Sequence, residues 1–295
     1  MTLTLIDMLY NGVAFLFWIR IWTANTQAAL FNPYLQGIQV FTQPLLDVTP
    51  PSFRIRAVDW GAVLAWGLMV IFRGVALPVL NPTGIQNAWQ LLLGFDSLVP
   101  AQSSAQGLMM GLIFSLMSFG IFLFYVWGLA LLFMRRFQMG QVADRTLDFV
   151  CAVARPFSIL KPFVRPWILL VFGVTLVSIL SGLRAEDAAS LGSSTGLIPG
   201  LRATISVLAG FAELLMILQS LLIILIIGSW VSLFTGGGVL DIFCREWMDF
   251  VLGPFRRFPL QIGFFDLTPI IVFILLELAH FFVKKALWVA YVVCR

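Results

Sequence analysis

The chain has 295 residues, of which 60% are hydrophobic and 11% are charged. Soluble domains carry about a quarter charged residues, so this composition excludes an ordinary water-soluble protein and predicts a membrane protein. The formal net charge is +4, but the basic residues cluster in loops beside apolar stretches, which is typical of contact with anionic lipid headgroups and not with nucleic acid.

Six apolar stretches are long enough to cross a bilayer as helices, which takes about 20 residues each. They predict an all-α, polytopic membrane protein whose six transmembrane helices form three hairpins, over residues 1–82, 83–200 and 201–295. No Lys or Arg precedes Arg20, so the first stretch lacks the basic start of a signal peptide and is expected to remain as an anchor. The predicted spans are Leu5–Trp22, Val58–Leu80, Gly107–Met134, Pro166–Leu183, Ile205–Phe234 and Leu267–Val283.

Each hairpin contains an amphipathic segment between its two spans, at Phe31–Leu46, Asp144–Ala154 and Val239–Leu252. Apolar residues recur there at helical spacing, which predicts short helices lying in the membrane interface. Asn32 followed by Pro33 fits a helix N-cap with proline at the first helical position.

A proline-bearing phrase followed by an aspartate appears in the first and last hairpins, around Pro44 and Asp59 and around Pro254 and Asp266. The prolines, together with Pro50, Pro51 and Pro259, are expected to interrupt helix where the chain turns into the bilayer. Each aspartate stands before an apolar span, where it can cap the helix, and Pro269 falls in the first turn of the last span. A role of the aspartates in ion or ligand binding is the alternative. The middle hairpin reads as a degenerate copy around Pro156.

These phrases resemble the YggT family of small membrane proteins. Phe41-Thr-Gln-Pro-Leu-Leu46 is similar to the family's Thr-acid-Pro phrase, although Gln43 replaces the acid. Asn32-Pro33, Arg20-Ile-Trp22 and Phe265-Asp-Leu-Thr-Pro269 resemble its other elements. The resemblance implies tandem repeats and a role in assembling membrane complexes, in cell division or in tolerance of osmotic stress.

Ionisable residues within spans are functional candidates because their burial in lipid is costly. Glu277 lies about 16 Å into the last span at 1.5 Å per residue, with His280 and Lys284 on the same face. Glu213 lies in the fifth span near Gln219, and Arg73 lies inside the second. Two interpretations remain open: a proton or ion path with Arg73 as counter-charge, or pairing of these groups with each other or with another subunit.

The remaining signals concern packing, orientation and chemistry. Gly107 and Gly111 form a GxxxG motif that permits close helix packing, and Arg20 is expected to snorkel to the interface. Lys and Arg are concentrated in the loops after spans one, three and five, which predicts cytoplasmic amphipathic segments and an external N-terminus in a bacterial inner membrane.

No nucleophile–base pair, phosphate loop or ligand spacing stands out, and Cys151, Cys244 and Cys294 lie far apart. The sequence therefore predicts no enzyme, cofactor or metal site. It predicts a non-catalytic accessory or assembly subunit whose partners are membrane lipids and other integral membrane subunits. The alternative is an ion or proton transporter or channel component.

Overall fold

The computed structural model describes residues 2–23, 31–47, 54–55, 58–80, 107–137, 144–188, 199–234, 244, 246–248, 251–252, 261–262 and 265–293. This part of the chain is almost wholly helical, which confirms the predicted all-α class. The long helices are α1 (Thr2–Thr23), α3 (Trp60–Leu80), α4 (Gly107–Phe137), α6 (Arg165–Ala188), α7 (Pro199–Phe234) and α8 (Thr268–Val293), and the short ones are α2 (Pro33–Leu46) and α5 (Asp144–Val153).

Each predicted span coincides with one of the long helices, except that the second and sixth predicted spans begin two residues and one residue before their helices. Two segments, Gly111–Met134 and Thr204–Gly228, are long and apolar enough to cross a membrane, and Trp60–Val75 and Arg165–Ile179 are shorter apolar helices. Helix α8 has 26 residues but also carries Glu277, Lys284 and Lys285. The six helices are thus confirmed, while length and composition support membrane crossing for two of them.

Among the long helices, α7 and α8 share the most extensive contact, followed by α3 with α4 and then α1 with α3. Contacts of α6 with both α7 and α4 complete one bundle. The main core lies between α4, α6 and α7 and is built on fully buried side chains such as Ile121, Leu169 and Leu222. A second, aromatic core joins α1, α3 and α4 through Trp18, Trp66 and Phe119.

Helices α3 and α4 approach each other closely at Gly74 and Gly111. A Cβ atom on Gly74 would lie 3.0 Å from the Gly111 carbonyl oxygen and 3.0 Å from the Leu112 Cα. Backbone atoms cannot move aside as a flexible side chain can, so this approach requires glycine. The expectation of close packing is confirmed at Gly111.

The three amphipathic segments meet at one end of the bundle. The Tyr34 hydroxyl in α2 donates a hydrogen bond of 2.8 Å to Glu246, and Asn32 donates one of 2.6 Å to the Arg145 carbonyl oxygen in α5. The ring of Phe149 in α5 lies between Tyr34, at 5.4 Å, and Trp247, at 6.3 Å. The described residues of the third segment, 244, 246–248 and 251–252, are helical.

Helix α2 begins as predicted and ends differently. The Asn32 side chain accepts hydrogen bonds from the backbone N–H groups of Tyr34 and Leu35, and Pro33 is the first helical residue. Pro44, however, lies inside the helix, so the prediction that it interrupts the helix is wrong. One intrahelical hydrogen bond is lost there, because proline has no N–H to donate to the carbonyl four residues earlier. Pro50, Pro51, Pro254 and Pro259 lie outside the described residues.

A two-stranded antiparallel ladder precedes the second long helix of both outer hairpins. Strand β1 (Arg54–Ile55) pairs with β2 (Val58–Asp59), and β3 (Gln261–Ile262) pairs with β4 (Phe265–Asp266). The register is the same, since Arg54 faces Asp59 and Gln261 faces Asp266. The middle hairpin instead has a 3₁₀ turn at Phe157–Ile159 and no strand within residues 144–188.

Candidate functional site

Arg20, Thr42, Gln43 and Asp59 form a buried polar group, here called the hairpin-turn cluster. The guanidinium of Arg20 donates to Asp59 Oδ2 at 3.3 Å, to Thr42 Oγ1 at 2.8 Å and to Gln43 Oε1 at 2.6 Å. It also donates to the Gln39 carbonyl oxygen at 3.0 Å. Arg20 is only 4% exposed, so the expectation that it snorkels to the interface is wrong. Helix α2 supplies acceptors directly, and the side chain has no need to reach water.

Asp59 joins this cluster to the start of α3. Its Oδ1 accepts the backbone N–H of Ala62 at 3.3 Å, while Oδ2 accepts from Arg20. The predicted capping role of Asp59 is therefore confirmed, and both carboxylate oxygens are engaged within the chain. This favours the structural interpretation over ion binding. Pro269 is buried in the first turn of α8, as predicted, and Asp266 lies in β4.

A second buried group, the Arg73 cluster, contains Asn11, Arg73, Ser115 and Ser118. Arg73 is 4% exposed and donates to Asn11 Oδ1 at 2.9 Å, to the Ser115 carbonyl oxygen at 3.1 Å and to the Ser118 hydroxyl. The Asn11 amide also donates to Ser118 Oγ at 3.3 Å. These contacts tie α1, α3 and α4 together in the middle of the bundle.

The structure does not bring Arg73 to the residues that it was expected to neutralise. Its cluster is built by the first two hairpins, whereas Glu213, His280 and Glu277 lie on α7 and α8. Sequence reasoning missed Asn11, Ser115 and Ser118 as its partners. The available signal was their polarity within apolar helices, which predicts an interhelical hydrogen bond without identifying the partner.

The third group, the Glu213 cluster, contains Glu213, Gln219, Glu277, His280 and Lys284. Lys284 Nζ donates to Glu213 Oε1 at 2.6 Å, and His280 Nε2 lies 3.5 Å from Glu213 Oε2. One turn away along α8, Gln219 Nε2 donates to Glu277 Oε2 at 2.8 Å. The structure thus brings Glu213 to His280 and Lys284, and separately Gln219 to Glu277, across the α7–α8 pair.

The members of this cluster differ in exposure. The side chains of Glu213 and His280 are 13% and 12% exposed and that of Lys284 is 39% exposed, whereas Gln219 is buried and Glu277 is exposed. Lys284 and Glu213 form an ion pair at 2.6 Å. Among the described residues, no group of three or more His, Cys, Asp or Glu side chains is arranged to hold a metal ion.

Comparison with known proteins bears on the last hairpin. No curated protein and no solved structure matches the chain. Residues 203–287 match the family model described as CCB3/YggT. This match covers α7 from near its start, both strands of the second ladder and most of α8, including the whole Glu213 cluster. The predicted resemblance is confirmed for this segment, and the tandem arrangement stays a prediction. Residues 203–287 are therefore similar to the CCB3/YggT family, which is consistent with a YggT family protein.

Proposed function

We propose that this protein is a non-catalytic integral membrane protein that acts as an accessory or assembly subunit of a larger membrane complex. In this proposal all six long helices cross the bilayer as three hairpins, and the first and last hairpins are YggT-type repeats. The similarity to the CCB3/YggT family and the two long apolar segments support the membrane assignment. The shared element order and ladder register of the outer hairpins support the repeat.

The distribution of polar and apolar side chains carries the proposal. Helix α8 exposes large apolar residues along its length, among them Phe282 at 62% and Val289 at 56%. The charged pairs Arg20–Asp59 and Glu213–Lys284 lie between helices instead. Contiguous exposed apolar surface marks contact with lipid or with another protein, so the outer surface suits lateral packing in a bilayer.

The shared location of the amphipathic segments supports one orientation. Because α2, α5 and the described residues 244, 246–248 and 251–252 meet at one end of the bundle, the described basic residues of these segments lie on one side. Arg145 and Lys161 are exposed there. The positive-inside rule then assigns this end to the cytoplasm and the N-terminus to the outside of a bacterial inner membrane.

Extraction of the tagged chain from its native membrane in a mild detergent tests the proposal. We expect an integral membrane partner at fixed stoichiometry by quantitative mass spectrometry. We also expect the purified chain in liposomes to conduct neither protons nor potassium. Recovery of the chain alone, with ion flux in liposomes, would contradict the proposal.

The alternative function is an ion or proton transporter or channel component linked to osmotic stress. The Glu213 cluster favours it, because five polar side chains line up along the α7–α8 pair. In that case Glu277→Gln should abolish proton- or potassium-dependent flux. Lys285→Gln is the matched control, because Lys285 is exposed and contacts the Phe281 ring. The accessory function predicts no flux in either variant or in the unmodified chain.

A further inference from the structure

We infer that α8 is the helix through which the protein docks on its partner, and that the partner presents a transmembrane helix with an arginine or lysine opposite Glu277. This inference rests on the proposed accessory function and adds the chemistry of the contact. Among the described elements, α8 makes extensive contact only with α7, so it forms an edge of this part of the bundle. Its remaining surface faces outward.

One outward stripe of α8 has the spacing of a helix-packing seam. Its residues follow each other at intervals of four, three, four and seven, the pattern that keeps a stripe on one side of a helix. Four of them are apolar and about half exposed, at 53%, 50%, 55% and 48% for Ile270, Ile274, Phe281 and Trp288. We call this stripe, with Glu277 at its centre, the outer seam.

Glu277 is the ionisable member of the outer seam. It lies nine residues after the start of α8, about 14 Å along the helix, and its side chain is exposed. A carboxylate at that depth is costly against lipid tails. Gln219 donates to one of its oxygens, Oε2, which fixes the orientation of the group. Among the ion pairs of the described residues, none includes Glu277.

The neighbouring cations on α8 have other contacts. Lys284 is bound to Glu213 at 2.6 Å, and Lys285 lies over the Phe281 ring at 5.6 Å from its centroid. Lipid tails offer no donor, and the headgroups lie beyond the reach of a side chain at this depth. A second copy in parallel orientation would place another Glu277 opposite the first. A foreign helix with a basic residue therefore complements the seam best.

Binding of designed transmembrane peptides to the full chain in lipid nanodiscs tests this inference. The probes are leucine- and alanine-rich helices with a single central Arg, Leu or Glu, measured by energy transfer to a dye on the protein. Interhelical polar contacts in membranes support a preference of about 3- to 30-fold. We expect the Arg peptide to bind that much more tightly than the Leu peptide. Glu277→Leu should remove the preference, and Glu277→Arg should transfer it to the Glu peptide.

A positional control separates the outer seam from a general charge effect. Combining Glu277→Leu with Leu278→Glu keeps a carboxylate on α8 but turns it by about 100°, so the preference should stay lost. Thermal unfolding midpoints establish that each variant is folded before binding is measured.

Equal binding of the Arg and Leu peptides to the folded wild-type chain would mean that the seam faces lipid only and would overturn the inference. Energy transfer between copies of the chain that Glu277→Leu abolishes would assign the seam to a second copy, which also overturns it. Neither result depends on recovering a native partner. A failure of this inference is therefore distinct from a failure of the accessory function.

Discussion

Removal of the Asp59 carboxylate should destabilise the first hairpin strongly. Asp59 and Arg20 are 3% and 4% exposed, and breaking a buried pair by removing one partner costs about 3–5 kcal/mol. Asp59→Ala also removes the cap on the Ala62 N–H, which is worth about 1 kcal/mol. Arg20 keeps its acceptors on α2, which offsets part of the loss. We therefore expect Asp59→Ala to lower the free energy of unfolding by about 4 kcal/mol.

The thermal unfolding midpoint in detergent, followed by tryptophan fluorescence, provides the assay. At about 2–4 °C per kcal/mol for a protein of this size class, the midpoint should fall by about 8–16 °C. Asp59→Asn should lower the midpoint less than Asp59→Ala does, because asparagine also caps helices well. Asp148→Ala is the matched control, since Asp148 is an exposed aspartate on α5 outside this cluster, and exposed substitutions cost within about 0.5 kcal/mol.

The double variant Arg20→Met with Asp59→Ala tests whether the pair is the cause. Removing both charges leaves neither one buried alone, so the double variant should be more stable than the sum of the single changes predicts. Equal midpoints for Asp59→Ala and Asp148→Ala, or strict additivity in the double variant, would refute the reasoning.

Three further changes test separate parts of the structure. Gly74→Ala should lower the unfolding midpoint, at a cost of about 1–3 kcal/mol for overpacking. A Cβ atom on Gly67, in the same helix, would have no other atom within 4 Å, so Gly67→Ala should be neutral or stabilising. A lower unfolding midpoint for Gly67→Ala than for Gly74→Ala would refute the close α3–α4 approach. Burial, and then the hydrogen bond and charge of Glu246, raise the pKa of the Tyr34 phenol to about 12 from 10.0. The folded state therefore holds the phenol proton more tightly than the unfolded state does. The contribution of this difference to folding stability is present below pH 10 and is lost as the pH rises towards about 12. The midpoint of Tyr34→Phe should accordingly fall less between pH 10 and 12 than that of the wild type, and parallel curves would contradict this. Glu213→Leu should lower the unfolding midpoint by weakening the contact between α7 and α8, and adding Lys284→Met should restore part of that loss. A double variant whose midpoint is no higher than that of Glu213→Leu would argue against the ion pair.

The helices could be predicted from the sequence because their signals are local. Apolar stretches of spanning length gave the positions of the six long helices, and the Asn32-Pro33 cap gave the start of α2. The hairpin arrangement also predicted that the amphipathic segments share one end of the bundle. The contact between Tyr34 and Glu246 bears this out, although the two residues are 212 positions apart.

The partners of the buried charges could not be predicted in the same way. Arg20 and Asp59 are 39 positions apart, and Arg73 and Asn11 are 62 apart. Such pairs form only after the helices pack, and a polar residue in an apolar stretch indicates a need for a partner without specifying it. Pro44 shows a further limit. The cost of proline in a helix falls on the turn that precedes it, tertiary packing can offset that cost, and the end of α2 has no clear local marker.

Labelling from one side of the membrane tests the central claim most directly. With Cys151, Cys244 and Cys294 replaced by serine, single cysteines at Val40, Asp148 and Met248 can be exposed to a membrane-impermeant maleimide in vesicles of known orientation. Our structure predicts that all three positions react from the same side, the cytoplasmic one. Reaction of any two of them from opposite sides would contradict the three-hairpin membrane arrangement.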